Sequence, residues 1–309
     1  MKILRSAKEL GSTSGNVCLA IGFFDGVHLG HQQIIGRTLE RARQHDAIAV
    51  VVTFDEHPAT VVAPERVPAL VYPLAQKMEV IARCGADALL LLRFDRPFSE
   101  QTGETFVRKL VADIPNLRSI SVGENFHFGR QRSGNAELLK SLGVSLGFAV
   151  DAVPMFTLEG RSISSTKIRE AIRAGDFAAT NAMLGRPYSL VGAVLHGDGL
   201  GQQIGYPTAN LDVKGLVLPP YGVYSATATL PSGQLPTVLN IGVRPTLRQP
   251  EPRLQVEAHI PGFDGNLYDS RLELVLHRKL RDERKFDSID SLREQIARDI
   301  QRLLQDPHP

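Results

Sequence analysis

The sequence has no tryptophan, only two cysteines and four methionines, and almost no excess of either charge sign. Each shortage removes a class of protein. Cys18 and Cys84 lie in apolar surroundings, are not paired in spacing and have no histidines near them. Neither a disulfide framework nor a zinc site is expected, and both cysteines read as core packing. Lysine and arginine total 35 against 33 acidic residues, a formal charge of +2. That is too little for a dedicated nucleic-acid binder. The longest apolar runs, such as Ile48–Thr53 and Ala88–Leu92, are of strand length, so no membrane span is expected. Charge arrives at Lys2 and Arg5, too early for a secretory signal, which points to a cytoplasmic protein.

What is present suffices for two ordinary cores, because 309 residues with 43% hydrophobic content exceed one average domain. In the first part, apolar runs at Val17–Gly22, Ile48–Phe54, Ala88–Phe94, Ser119–Gly123 and Phe148–Pro154 alternate with helical patterns. The helical stretches are Gln32–Gln44, Leu74–Arg83, Gly103–Ala112 and Asn135–Ser145. Strands that are apolar throughout, with a helix between each pair, predict an α/β domain with a parallel sheet covered on both faces. Ligands of such sheets bind beyond the carboxyl ends of the strands. Two short helices, Thr166–Ala174 and Phe177–Leu184, follow, and Gly185-Arg186-Pro187 breaks the pattern. Beyond it come Tyr188–His196, Gly222–Leu230, Leu235–Ile241, Arg253–Ile260 and Arg271–His277, strand-length segments punctuated by glycine and proline with no helix between them. That texture predicts an antiparallel barrel. A final helix, Ile289–Leu304, lays a stripe of Leu292, Ile296, Ile300 and Leu303 on it. The expected domains are 1–184 and 185–309.

The stretch Ile21-Gly22-Phe23-Phe24-Asp25-Gly26-Val27-His28-Leu29-Gly30-His31 joins the first strand to the first helix. Its glycines Gly22, Gly26 and Gly30 allow a sharp turn and close approach of a ligand to the backbone. His28 and His31 fall where the helix begins, beside backbone N–H groups and the positive end of the helix dipole. That arrangement suits phosphate oxygens. The spacing H-x-G-H resembles the signature with which nucleotidylyltransferases hold the phosphates of a nucleoside triphosphate.

Further stretches follow in order: Thr53–Pro58, Val122–Gly129, Ser164–Arg169, Leu184–Tyr188, Ile204–Leu211, Leu218–Tyr224 and Asn240–Thr246. Together with the histidine stretch, they resemble the prokaryotic bifunctional riboflavin kinase/FAD synthetase family over essentially the whole chain. The resemblance implies a Rossmann-like nucleotidylyltransferase domain that joins FMN to ATP, giving FAD and pyrophosphate. It also implies a six-stranded barrel that phosphorylates riboflavin with ATP, giving FMN and ADP. Mg²⁺ is the implied metal, ATP the co-substrate.

In the first domain the attacking FMN phosphate is already an anion, so alignment and charge stabilisation matter more than a base. His28 and His31 suit that work. Gly22, Phe23, Gly26 and Gly30 shape the nucleotide site around them. Ser164, Ser165 and Thr166 resemble a second phosphate motif at a helix start, each equally readable as a plain cap. Arg169, one turn on, can reach the leaving phosphates. Asn125 is the polar contact expected after the fourth strand, while Phe126 and Phe128 read either as flavin packing or as core. His57 is open between a structural and a binding role.

In the second domain Gly197, Gly201 and Gly205 make a loop poor in side chains, able to offer backbone N–H groups to phosphate. Thr208 and Asn210, two apart on an extended segment, face one way and carry hard oxygen ligands. The resemblance makes them the Mg²⁺ ligands. It also makes Glu257 the base for the riboflavin alcohol, in a strand that turns Gln255, Glu257 and His259 to one face. One departure stands out. The loop Asp198-Gly199-Leu200-Gly201-Gln202-Gln203 lacks the basic residue that the family commonly carries there. Arg244 and the run Arg278–Phe286 are candidate substitutes. A chain with only one competent activity, or a flavin-binding sensor without chemistry, are the rival readings.

Overall fold

The computed structural model describes residues 1–11, 15–197, 199–244 and 253–305. The chain divides into two compact units, 1–167 and 168–309.

In the first unit, strands β1 (Lys2–Leu4), β2 (Asn16–Ile21), β3 (Ala47–Phe54), β4 (Ala88–Leu92), β5 (Leu117–Gly123) and β6 (Ala149–Val153) form one sheet. Its order is β1-β4-β3-β2-β5-β6 and every pairing is parallel. The chain leaves β2 to one side for β3 and returns on the other side for β5. In sheets with such a change of direction, ligands bind beyond the carboxyl ends of the strands flanking it, which here are β2 and β5. Helices α1 (Leu29–Gln44), α2 (Leu74–Arg83), α3 (Gly103–Asp113) and α4 (Ala136–Leu146) make the crossovers. Strand alternation sorts the core. Val17, Leu19 and Ile21 pack on one face with Phe106, Leu110 and Leu139. On the other face the small residues Cys18 and Ala49 sit against Ala42 of α1, which lets that helix lie close to the sheet. Strand β1 was not legible, since three residues with only Leu4 buried carry no pattern.

A two-residue hairpin of β7 (Thr157–Leu158) and β8 (Arg161–Ser162) precedes α5 (Ser165–Ala174) and α6 (Phe177–Leu184). The Asp176 carboxylate caps α6 through the Ala179 N–H at 2.9 Å, and Gly185 ends it at φ 69°. Buried Phe177 stacks on Tyr188 at 6.2 Å, which packs α6 within the second unit.

That unit is a closed antiparallel barrel of six strands, β9 (Ser189–Leu195), β10 (Ala209–Asp212), β11 (Gly222–Leu230), β12 (Gly233–Arg244), β13 (Arg253–His259) and β14 (Arg271–Arg281). Helix α7 (Ile289–Gln305) follows, burying Leu303 against Val223 and Val238. The sequence texture showed five of these strands. The missing one, β10, is four residues long and closes the barrel by pairing with both β9 and β13. The expectation of no helix between strands is corrected at one point. Gly199, at φ 70°, starts a single helical turn over Leu200–Gln203, a conformation that glycine adopts at little cost.

Candidate active sites

At the end of β2 the chain turns tightly. The Gly22 N–H still reaches Val52 O at 3.1 Å, but Phe24 and Val27 then adopt φ 56° and 42°, with Gly26 at 75° between them. A left-handed β-branched residue is strained, by about 1–3 kcal/mol. Here the conformation is over-determined. Phe24 and Val27 are fully buried. The Asp25 carboxylate accepts the Val71 N–H at 2.9 Å, Gln32 donates to Val27 O at 2.9 Å, and Thr53 donates to Phe23 O at 2.9 Å.

This turn delivers His28 as the N-cap of α1, where its Nδ1 accepts the His31 N–H at 3.3 Å. The two imidazoles stack, centroids 3.6 Å apart, and Phe24 meets His31 edge-on at 5.2 Å. Because Nδ1 is the acceptor, a neutral His28 carries its proton on Nε2, which is a hydrogen-bond donor. Gly30 matters for this stack, since a Cβ there would sit 3.2 Å from the His28 ring.

The second motif meets the first. Ser165 donates to Asp25 O at 3.0 Å across 140 residues of sequence. Ser164 accepts the Lys167 N–H at 3.3 Å, as a cap does. Thr166 and Arg169 follow on α5. Asn125 is exposed beyond β5, its carbonyl 2.9 Å from His127 Nδ1. Phe126 and Phe128 stack on each other at 5.2 Å and pack against the apolar core. His57 uses Nδ1 to accept the Ala59 N–H at 3.0 Å, and its ring meets Phe23 at 4.7 Å.

One residue in this region escaped the sequence reading. Lys77 of α2 is buried, 3% exposed, at the ends of β2 and β3. The signal was available: it lies three and four positions before the buried Val80 and Ile81, on the apolar face of its helix.

A cavity of about 700 Å³ lies against the barrel wall, between its strands, the loop around Gly201 and helix α7, and its lining includes Gly197, Gly201, Thr208, Asn210 and Glu257. Pairing explains the arrangement. Asn210 of β10 lies opposite Glu257 of β13, and Glu257 lies opposite Asn240 of β12, so the three share one cross-strand row. Asn240 was not singled out from sequence because only the register reveals it. Gln255 and His259 also line the cavity, as strand alternation requires. The His259 ring holds the loop through a 2.8 Å contact to Pro207 O. Gly205 is not among the lining residues; at φ 85° it closes the loop's helical turn, its N–H on Gln202 O at 3.1 Å. Asp198, Pro245, Thr246 and the side chain of Arg244 lie outside the described residues.

Cations reach the cavity from distant sequence. Arg281, Arg284 and Lys285 line it. Arg281 is held by Asp299, 1% exposed, at 2.9 Å, and Gln295 bonds both Asp299, at 2.7 Å, and Arg284. Helix α7 thus fixes this basic edge with buried polar groups at the margin of its apolar stripe.

Two family models match the chain, FAD synthetase over residues 11–167 and riboflavin kinase over residues 184–305. A bifunctional riboflavin kinase/FMN adenylyltransferase of Pseudomonas fluorescens is 37% identical over 300 residues, covering 97% of this chain and 96% of that protein. The protein of the same description from Escherichia coli K12 is also 37% identical, over 302 residues, with the same coverage. The chain belongs to the bifunctional riboflavin kinase/FMN adenylyltransferase family. Its sheet unit contains the FAD synthetase match and its barrel unit the riboflavin kinase match. The fold also superposes on the crystal structure of a macrolide-efflux protein from Streptococcus pneumoniae, with TM-score 0.81, 29% identity and 97% of both chains covered. Among the described residues no helix is long and apolar enough to cross a membrane.

Proposed function

We propose that the chain makes FAD in two steps, with residues 185–309 phosphorylating riboflavin to FMN and residues 1–184 adenylylating FMN. The observation that carries the reading is the gathering of Thr208, Asn210 and Glu257 in one cavity, with the Asn210–Glu257 pairing in register.

At the barrel, Glu257 accepts the proton of riboflavin's primary alcohol as that oxygen attacks the γ-phosphorus of ATP, the bond to the β–γ bridging oxygen breaks and ADP leaves. Gly197 and Gly201 keep the wall free of side chains so that backbone N–H groups reach phosphate. Arg284 and Lys285 supply the positive charge that the 198–203 loop lacks, Arg281 being neutralised by Asp299. The Thr208 hydroxyl and the Asn210 amide would hold Mg²⁺, which when bound neutralises phosphate charge. The donor set fits: both are hard oxygens, and no cluster of histidine, cysteine or carboxylates able to cage another metal occurs among the described residues.

In the sheet unit, His28 and His31 donate to the phosphates of ATP as the FMN phosphate displaces pyrophosphate. Gly22, Phe23, Gly26 and Gly30 let the nucleotide approach the turn, Ser164 and Thr166 open the second phosphate site, and Arg169, one turn further along α5, is the cation assigned to the leaving phosphates. Asn125 contacts the polar part of the bound ligands. An enzyme fed by ATP, with both cysteines free thiols, belongs in the cytoplasm.

Purified protein given riboflavin, ATP and Mg²⁺ should yield FMN and then FAD on a chromatogram; riboflavin left unconverted overturns the reading. A narrower test concerns Gly197, where a Cβ would overlap the Asn210 amide. Gly197→Ala is expected to lower riboflavin phosphorylation by about tenfold or more, as displaced ligands do, while FMN adenylylation stays unchanged in the same preparation.

A further inference from the structure

Lys77 has no task in the mechanism above, yet its placement is costly. A buried ammonium is tolerated only when acceptors replace its water. Here its Nζ donates to Phe54 O at 3.1 Å, Phe23 O at 3.2 Å and Thr53 Oγ1 at 3.3 Å, and it stands 4.2 Å from the centre of the Phe23 ring. Three protons meet three oxygens. Two of those oxygens belong to the last residue of β3, and to Phe23 just beyond β2. Lys77 therefore fastens two neighbouring strand ends together at the edge of the sheet where ligands bind. Phe23 is also the first link of the turn that runs through left-handed Phe24 and Val27 to His28. The Thr53 hydroxyl that also donates to Phe23 O at 2.9 Å itself accepts from Lys77 at 3.3 Å, so the ammonium orders both side-chain contacts to this end of the strained turn.

We infer that Lys77 is a positioning residue for adenylyl transfer, its ammonium pinning the Phe23 end of the turn that presents His28 and His31. The inference rests on the reading of the sheet unit as the FMN adenylyltransferase site. Charge is part of the device. A neutral amine keeps two N–H donors for three acceptors and loses the attraction to the Phe23 ring. Burial lowers the Lys77 pKa to about 8, against the opposing influence of Asp25 beyond β2 and Asp55 beyond β3. His57 touches the same Phe23 ring. The ammonium thus loses its proton as pH rises through about 8, within reach of an assay.

The test is the steady-state rate of FMN adenylylation from pH 6.5 to 9.5 for wild type, Lys77→Met and Lys77→Arg, with thermal melting as the check on folding. Lys77→Met is expected to lose about 10²-fold in kcat with KM for ATP and FMN nearly unchanged, the signature of misaligned rather than missing contacts. Wild-type kcat should decline as pH passes about 8. Lys77→Arg, whose guanidinium stays charged, should recover activity and remove that decline. A folded Lys77→Met enzyme with wild-type kcat overturns the inference. If that variant does not fold, a wild-type rate that stays level to pH 9.5, or an arginine variant that declines alongside it, does the same. Failure of the underlying reading looks different: wild-type protein then makes no FAD from FMN, or the His28→Ala/His31→Ala variant still does.

Discussion

Glu257→Gln is expected to cut riboflavin phosphorylation by about 10²–10⁴-fold, the usual worth of a general base. The same variant should convert supplied FMN to FAD at the wild-type rate. The substitution keeps shape and removes only the capacity to take a proton, so the cross-strand row with Asn210 and Asn240 should survive. The riboflavin alcohol needs such a base because it arrives neutral; the FMN phosphate does not, because it arrives ionised. Chromatographic assays on riboflavin and on FMN separately decide the matter. Loss of both reactions in a folded variant would falsify the assignment of Glu257 to the barrel reaction alone.

His28→Ala combined with His31→Ala should do the reverse, with riboflavin consumed, FMN accumulating and little FAD formed. Removing one preorganised donor to developing charge typically costs about 10²–10³-fold, and two donors are lost here. His28 has a second role that must be separated from the first, since its ring caps α1. Losing a cap costs about 0.5–2 kcal/mol, which by itself lowers the melting temperature rather than abolishing chemistry. His28→Ser distinguishes the two, because serine can cap the helix but cannot place an N–H where Nε2 stands. It should restore stability and leave FAD synthesis low. Recovery of FAD synthesis in the serine variant would show that only the cap mattered.

Much of the architecture was legible because its determinants are local. The apolar runs around Val17, Ile48 and Ala88 were long enough to be strands and too unbroken to be half-exposed, so a parallel sheet covered on both faces followed. The H-x-G-H spacing put two imidazoles at a helix start for the same reason, since capping and helix periodicity act within a turn. Short elements were harder. Strand β1 has one buried residue, and β10 has four residues of mixed polarity, so neither shows a period.

The sequence alone determined the two textures, the glycine-rich turns and the chemical types available at each site: imidazoles, hard oxygens and one well-placed carboxylate. Tertiary structure decided which of them meet. It set Ser165 on Asp25 across 140 residues, brought Asn240 into the row with Glu257, and supplied the cavity's cations from the end of β14 and the segment after it. It also put Lys77 beneath Phe23. Each of these depends on strand register or on how a helix docks against a sheet, and those are fixed by packing of the whole core, which no local window of sequence contains.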